Sequence, residues 1–272
     1  LRPLAFALGS RLLFSASTLD QRPREVATTL LYGNVFGPVP DLDRCEHLVI
    51  IGANPVASNG SLATAPDWPG RIDALRERGG KVVVIDPRRT ETAAHADEHH
   101  FVRPETDALL LAAMLHVLLR DGRVTLGAAE GLVEGLDQLE GLVAPFGPDA
   151  VADACGIDAA TIVQLTRELA AAPRAALYGR LGTTTQRFGT LTSWLIEVLN
   201  ILTGNLDRPG GVMFSSPATG RMGRGALRRG RWHSRVRDLP EVAGELPSAS
   251  LAEEIDTPGE GQLRALLTIA GN

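Results

Sequence analysis

A three-layer, doubly wound α/β fold on a mostly parallel sheet, followed by part of a second α/β domain, is what this 272-residue sequence predicts. Three observations predict it. Short apolar runs stand at 47–51, 81–85 and 175–178, too short for helices and without the alternation of a half-exposed strand, as befits strands covered on both faces. Helix-spaced stretches separate them. Each run ends on a glycine or carboxylate turn, the punctuation of a βαβ chain, whose crossovers are right-handed.

The first run, His47-Leu48-Val49-Ile50-Ile51, is followed at once by Gly52-Ala53-Asn54-Pro55. A polar, glycine-bearing segment over 58–70 leads into a helix at about 71–78, closed by Gly79-Gly80. Lys81-Val82-Val83-Val84-Ile85 is the next strand and ends on Asp86-Pro87-Arg88-Arg89. A third strand, at about 100–103, precedes Pro104-Glu105-Thr106-Asp107. Residues 108–120 form a helix apolar nearly all round, which belongs between layers. Helical spacing returns over 158–171, with Asp158 as N-cap. The strand at 175–178 runs into Gly179-Arg180-Leu181-Gly182 and on to Gln186, a second glycine-bearing turn at a strand end. A strongly apolar helix over 191–202, with Trp194 in the core, closes on Gly204-Asn205. Residues 215–262 read as loop, with an arginine cluster from Arg221 to Arg237 and then an acidic one at Glu253, Glu254 and Asp256. The apolar run 265–270 reads as a further strand before Gly271-Asn272. The domain boundary is expected at 180, with residues 1–180 the dinucleotide-binding-like domain and 181–272 the partial second one.

A net charge of −5 gives the chain no electrostatic footprint for nucleic acid or an anionic membrane. The arginine cluster therefore reads as a solvated loop, or as a contact to cofactor phosphates or further domains. Cys45 and Cys155 lie far apart with no CxxC pair, so neither zinc nor an iron–sulfur cluster is expected within this chain. They fit a reducing compartment or, more simply, two small buried hydrophobes. No run approaches the ~20 apolar residues of a membrane span. Leu1 and Asn272 read as cut edges, so the expected compartment is cytoplasmic, or periplasmic if an export signal has been removed. His95, His99 and His100 have a spacing that can place two imidazoles together, but no cysteine or ordered acidic partner completes a metal site.

The specialised residues cluster at the carboxyl ends of strands, where ligands bind in open α/β sheets. Gly52 lets the backbone approach a pyrophosphate, and the Asn54 amide adds a donor. Asp86 stands where a carboxylate accepts from a ribose or base edge, and Arg88 and Arg89 balance phosphate charge. The bland alternatives stay open: a tight βα turn for Gly52 and a helix cap for Asp86. The nicotinamide fingerprint G-x-G-x-x-G is absent.

Four ordered motifs make these residues specific. Ile50-Ile51-Gly52-Ala53-Asn54-Pro55, then Val84-Ile85-Asp86-Pro87-Arg88-Arg89-Thr90-Glu91-Thr92-Ala93, then Arg103-Pro104-Glu105-Thr106-Asp107, then Leu202-Thr203-Gly204-Asn205-Leu206-Asp207-Arg208-Pro209-Gly210-Gly211 together resemble the dimethyl sulfoxide reductase family of molybdopterin oxidoreductases. The resemblance implies a bis(molybdopterin guanine dinucleotide) cofactor carrying molybdenum or tungsten, and oxo or hydride transfer with a small-molecule substrate. It implies that Gly52, Asn54, Ser58, Asp86, Arg88, Thr90 and Asp107 hold one nucleotide, with Gly179, Gly182 and Gln186 toward the pterin. Gly271 and Asn272 would begin a contact to the second nucleotide. Aligned on Pro23 and Gly33-Asn34, Asp20 falls near the position of the family's protein ligand to the metal; as a residue after a Ser/Thr run it also reads as a cap or turn residue. Gln21 replaces the histidine that formate dehydrogenases place after their ligand, which speaks against formate as substrate. The family's N-terminal [4Fe-4S] motif and C-terminal barrel are absent, so this chain reads as a central fragment, inactive alone, with the remaining domains of its polypeptide and an electron-transfer subunit as partners. Two alternatives remain: a non-redox hydratase or hydroxyl transferase of the same family, and a dinucleotide-like domain of a nicotinamide or thiamine-diphosphate enzyme.

Overall fold

A computed structural model describes residues 2–63, 65–216 and 227–269. These fall into two compact units, one of Pro23–Arg224 and one built from Leu1–Arg22 with Gly225–Asn272. The division differs from the boundary expected at 180, because the helix after the last sheet strand packs on that strand and stays in the larger unit.

The main sheet of the larger unit has four strands: β1 (His47–Ile51), β2 (Lys81–Ile85), β3 (Glu98–His100) and β4 (Ala175–Gly179). All pairings are parallel, in the order β3-β2-β1-β4. β1 pairs with β2 from His47↔Lys81 to Ile51↔Ile85 and with β4 from His47↔Ala175 to Ile51↔Gly179. Flanked on both edges and covered on both faces, β1 has all five residues buried, hence its unbroken aliphatic character. β3 lies two residues earlier than the sequence suggests. Past His100 the chain leaves the sheet, and Arg103 N–H donates instead to the Cys155 carbonyl (2.8 Å).

The helices that build the layers and the site include α1 (Pro55–Ser58), α2 (Trp68–Glu77), α3 (Glu91–His95), α4 (Asp107–Arg120), α5 (Pro148–Cys155), α6 (Ala159–Ala171), α7 (Leu181–Thr184) and α8 (Gly189–Leu202). α2 starts three residues before the expected Arg71. Asp67, in the left-handed region that Asp tolerates, caps it by accepting from Gly70 N–H (3.1 Å), and Pro69 fits the first turn, where no amide is needed. α4 packs against α5, α6 and α8 and buries 10 of its 14 residues, as its apolar circumference requires. Asp158 caps α6 through Thr161 N–H (2.9 Å), as expected.

α8 carries what its apolar composition hides. β4 is an edge strand, and Asn200 closes the edge: its Nδ2 donates to the Leu177 carbonyl (2.8 Å) and its Oδ1 accepts from Leu177 N–H (2.9 Å). Asn205 Oδ1 accepts from Ala175 N–H (3.1 Å). One turn earlier, buried Glu197 accepts from Tyr32 Oη (3.0 Å) and pairs with Arg24 (3.3 Å). Burial pushes the Glu197 carboxyl up, and Arg24 works against that.

In the smaller unit, part of the stretch expected as loop forms a hairpin, Arg229–His233 against Pro240–Val242, followed by a helix at Leu251–Asp256. The basic and acidic runs answer each other. Arg231 pairs with Glu241, Arg235 with Glu254 (3.5 Å) and Arg237 with Glu253 (2.6 Å). Arg221 and Arg224 lie outside the described residues. The expected strand at 265–270 is absent over its described part. Residues 262–269 have no regular structure and expose Leu266, Leu267 and Ile269, because an apolar run becomes a strand only beside a neighbour that takes its backbone groups.

Replacing Asn200 by Ala strips the β4 edge of two hydrogen bonds and leaves a buried N–H and C=O unpaired. The expected cost is about 2–4 kcal/mol of unfolding free energy, read from denaturant midpoints.

Candidate nucleotide-binding cleft

β1 is where the winding of the sheet reverses. The chain steps outward from it to β2 and β3, then returns past it to β4, so the loops leaving β1 and β4 diverge and open a crevice at the carboxyl edge. That crevice has a volume of about 330 Å³ and is lined by Gly52, Ala53, Asn54, Ala57, Ser58, Asp86, Arg88, Thr90, Arg180, Leu181 and Gly182. Seven of the residues singled out in the sequence meet there: Gly52, Asn54, Ser58, Asp86, Arg88, Thr90 and Gly182.

The two diverging loops touch through their backbones. Gly182 N–H donates to the Gly52 carbonyl (2.9 Å). A Cβ on Gly52 would lie 2.9 Å from Thr183 N, one on Gly182 would lie 2.8 Å from Gly52 Cα, and Gly52 sits at φ +55°. Only glycine satisfies both the approach and the conformation.

The polar side chains divide into those that hold the rim and those that face outward from it. Asn54 holds it: Nδ2 donates to Glu91 Oε2 (2.7 Å), while Oδ1 accepts from Thr92 N–H (3.2 Å) and Thr92 Oγ1 (2.8 Å). Thr90 caps α3, its Oγ1 accepting from Ala93 N–H (3.1 Å). Ser58 ends α1 with its side chain exposed. Asp86 is half-buried at the end of β2, and its Oδ1 accepts from Arg88 N–H (2.8 Å). Its backbone is pinned on both sides, N–H donating to the His100 carbonyl (3.1 Å) and C=O accepting from His99 Nε2 (3.1 Å). Burial pushes the Asp86 carboxyl up, while the Arg88 amide and guanidinium pull it back. The Arg88 guanidinium stands in solvent, 3.5 Å from Glu91, a pair that contributes little.

Asp107 and Gln186 form a bonded pair beside the crevice. Gln186 Nε2 donates to Asp107 Oδ2 (2.9 Å) and to the Gly182 carbonyl (2.9 Å), tying the start of α4 to the β4 loop. Gln186 Oε1 is buried and has no partner among the described residues. Burial raises the Asp107 carboxyl, the Gln186 hydrogen bond opposes this, and the nearby charge of Asp86 adds to the rise. Gly179 faces away from the rim: a Cβ there would lie 2.4 Å from Ile196 Cδ1, so its glycine serves the packing of α8 on β4. Asp20 belongs to the other unit, on the turn after Ala16–Thr18. Gly271 and Asn272 lie outside the described residues.

Arg180 and Leu181 also line the crevice, although the sequence of that turn draws attention to its glycines. The signal was position, since Arg180 is the first residue after β4. The three histidines are dispersed: His95 lies 3.5 Å from Asp73, His99 reaches Asp86 and stacks edge-on against Phe101, and His100 reaches Glu98 (3.2 Å). Among the described residues no group of three or more His, Cys, Asp or Glu could hold a metal. Cys45 and Cys155 are buried free thiols, and burial pushes Cys45 up to about 12.

Two arginines, a half-buried carboxylate and two glycines line one switch point, with the buried acceptor of Gln186 bonded behind it through the Gly182 carbonyl. That set suits an anionic ligand whose other end carries hydroxyl or N–H donors. Fold and crevice define an α/β domain of the dinucleotide-binding-like class.

Comparison with known proteins narrows the class. The family model "Molybdopterin oxidoreductase" matches residues 7–270, and the chain belongs to that family. The thiosulfate reductase molybdopterin-containing subunit PhsA of Salmonella typhimurium is 32% identical over 216 residues, which is 77% of this chain and 27% of PhsA. Formate dehydrogenase H of Escherichia coli is 29% identical over 177 residues, 65% of this chain and 24% of that enzyme. Among solved structures, acetylene hydratase from Pelobacter acetylenicus superposes with a TM-score of 0.66 at 23% identity, covering 78% of this chain and 28% of its own, a likeness of fold. The chain thus spans about a quarter of the length of these relatives.

Asp107→Asn keeps an acceptor for Gln186 but removes a carboxylate whose raised folded-state pKa penalises folding once it ionises. The variant is expected to melt at a higher temperature than the parent at pH 7, with the advantage shrinking at pH 4 as ionisation of the parent's carboxyl recedes. Melting curves at the two pH values read both the sign and the trend.

Proposed function

We propose that this chain is the central cofactor-binding portion of a molybdenum or tungsten oxidoreductase, and that its crevice grips one guanine nucleotide arm of a bis(molybdopterin guanine dinucleotide) cofactor. The observation that carries the reading is the meeting of Gly52, Gly182, Asp86, Arg88 and Arg180 at one rim. The contact of Gly52 with Gly182 holds the loops after β1 and β4 together, and both glycines line the crevice that would take the pyrophosphate. Arg88 and Arg180 supply positive charge to its phosphates, and the Ser58 hydroxyl supplies a donor. Asp86 accepts from a ribose hydroxyl or from the donor edge of guanine. Asp107 and the unpartnered Gln186 oxygen offer further acceptors on the same side. Asn54 and Thr90 hold the loops that carry these groups. Gly271 with Asn272 would begin the second nucleotide's site.

When bound, the metal centre supplies oxo or hydride exchange with a small substrate. Asp20 is its proposed protein ligand. A carboxylate is a hard oxygen donor suited to a high-valent metal, and among the described residues that of Asp20 makes no hydrogen bond or ion pair. The [4Fe-4S] cluster, the remaining domains and an electron-transfer partner belong, on this reading, to the rest of the enzyme.

The full-length enzyme tests the reading. Acid-released cofactor is expected to yield guanine nucleotide, and Asp86→Ala to lower cofactor retention by about ten- to a hundredfold, the loss of one or two charge-assisted hydrogen bonds. Release of a different nucleotide, or wild-type retention by Asp86→Ala, would overturn the assignment. Substrate is expected to change the oxidation state of the metal; turnover without any such change would point to hydration chemistry instead. Asp20→Ala is expected to alter the metal's nearest-neighbour shell in X-ray absorption, and an unaltered shell removes Asp20 from that role.

A further inference from the structure

Asp20 stands on a turn, so its carboxylate can be fixed only by what grips that turn. Residues 15–22 are gripped by residues 245–248 within the smaller unit. One carboxylate oxygen, Glu245 Oε2, accepts from the Ser15 hydroxyl (2.7 Å) and from Arg22 Nη2 (2.8 Å), bridging the two ends of the turn. The Arg22 and Glu245 side chains are only 13% and 15% exposed, so the bridge is shielded from solvent. Ser248 adds a second clamp: its hydroxyl donates to the Ser15 carbonyl (2.6 Å) and its N–H donates to Thr18 Oγ1 (3.0 Å). Leu246 N–H donates to the Leu13 carbonyl (2.8 Å). Inside the turn, Gln21 Nε2 donates to Ser17 Oγ (2.7 Å). Ser15, Ser17, Thr18, Gln21 and Arg22 are therefore all engaged, and Asp20 is the polar side chain of the turn left over.

We propose that Glu245, seconded by Ser248, is a positioning residue for Asp20: it holds the turn closed so that one free carboxylate is presented in a fixed direction. The proposal rests on the reading of Asp20 as the metal's ligand. A metal–oxygen bond demands placement to within about 0.5 Å, and a turn whose own regular structure is the single 3-10 turn Ala16–Thr18 gains that precision when its ends are locked. Groups that orient a ligand from behind are worth about 10–100-fold in metal affinity or activity.

The test uses the full-length enzyme with its cofactor, comparing Glu245→Ala, Glu245→Gln and Ser248→Ala with Asp20→Ala by X-ray absorption at the metal edge. Deuterium uptake over 13–22 reads the turn itself. Glu245→Ala is expected to shift the metal's nearest-neighbour shell toward that of Asp20→Ala, to lower kcat about 10–100-fold with KM unchanged, and to speed exchange at the Leu19 and Asp20 amides, both bonded to the Ala16 carbonyl. Glu245→Gln, which keeps an acceptor, should fall between. A wild-type metal spectrum in Glu245→Ala beside an altered one in Asp20→Ala overturns the positioning role and leaves the ligand reading intact. An unaltered spectrum in Asp20→Ala overturns both. If Glu245→Ala does not take up cofactor, Ser248→Ala and Glu245→Gln decide: wild-type spectra and exchange in both overturn the proposal.

Discussion

The pairing of β1 with β2 on one edge and β4 on the other is the constraint from which the rest follows. Parallel strands cannot be joined by tight turns, so each neighbour of β1 is reached by a crossover. Right-handed crossovers that first run toward β3 and later return to β4 send the helices to opposite faces. The loops after β1 and β4 must then part above the sheet, and the groove between them is a result of topology before any side chain is chosen. What side chains decide is how closely those loops approach. At Gly52 and Gly182 they meet backbone to backbone, and everything that lines the crevice is hung from that contact.

Inside the larger unit, the polar groups of the last helix and its exit are buried with partners. Asn200 and Asn205 complete the free edge of β4, and Glu197 is held by Arg24 and Tyr32. The smaller unit follows the same rule: Glu241 and Glu254 are wholly buried, and each faces an arginine. Gln186, like His47 Nε2 and Trp68 Nε1, departs from that pattern: a buried amide with both donor bonds placed and its oxygen unanswered, and it alone of the three is bonded to the crevice, through Gly182. An unsatisfied acceptor costs stability, and such costs gather where a ligand is to be met.

The strands at 47–51 and 81–85 were legible to the residue, and α4 and α6 nearly so, because apolar runs and periodic faces are local signals. The crevice was legible too, since Gly52, Asn54 and Asp86 follow strands directly. β3 was misplaced by two residues because Glu98, His99 and His100 pair through backbone alone and carry no apolar pattern. The hairpin at Arg229–His233 was hidden by charges whose partners lie ten or more residues away. The 265–269 run shows the converse error, a strand-like composition with no neighbour. The roles of Asn200, Glu197 and Glu245 depend on contacts between distant segments, which no window along the chain contains.

Asn54, which the sequence assigns as a donor to a ligand, has its side-chain amide bonded to the protein at both ends. By gripping Glu91 and Thr92 it welds the loop after β1 to the helix that follows β2, so two of the three walls of the crevice move as one piece. Fixing a loop residue costs about 1–2 kcal/mol in lost freedom. Here that cost is met when the chain folds, which leaves the walls preorganised and the contacts of any ligand free to register as affinity.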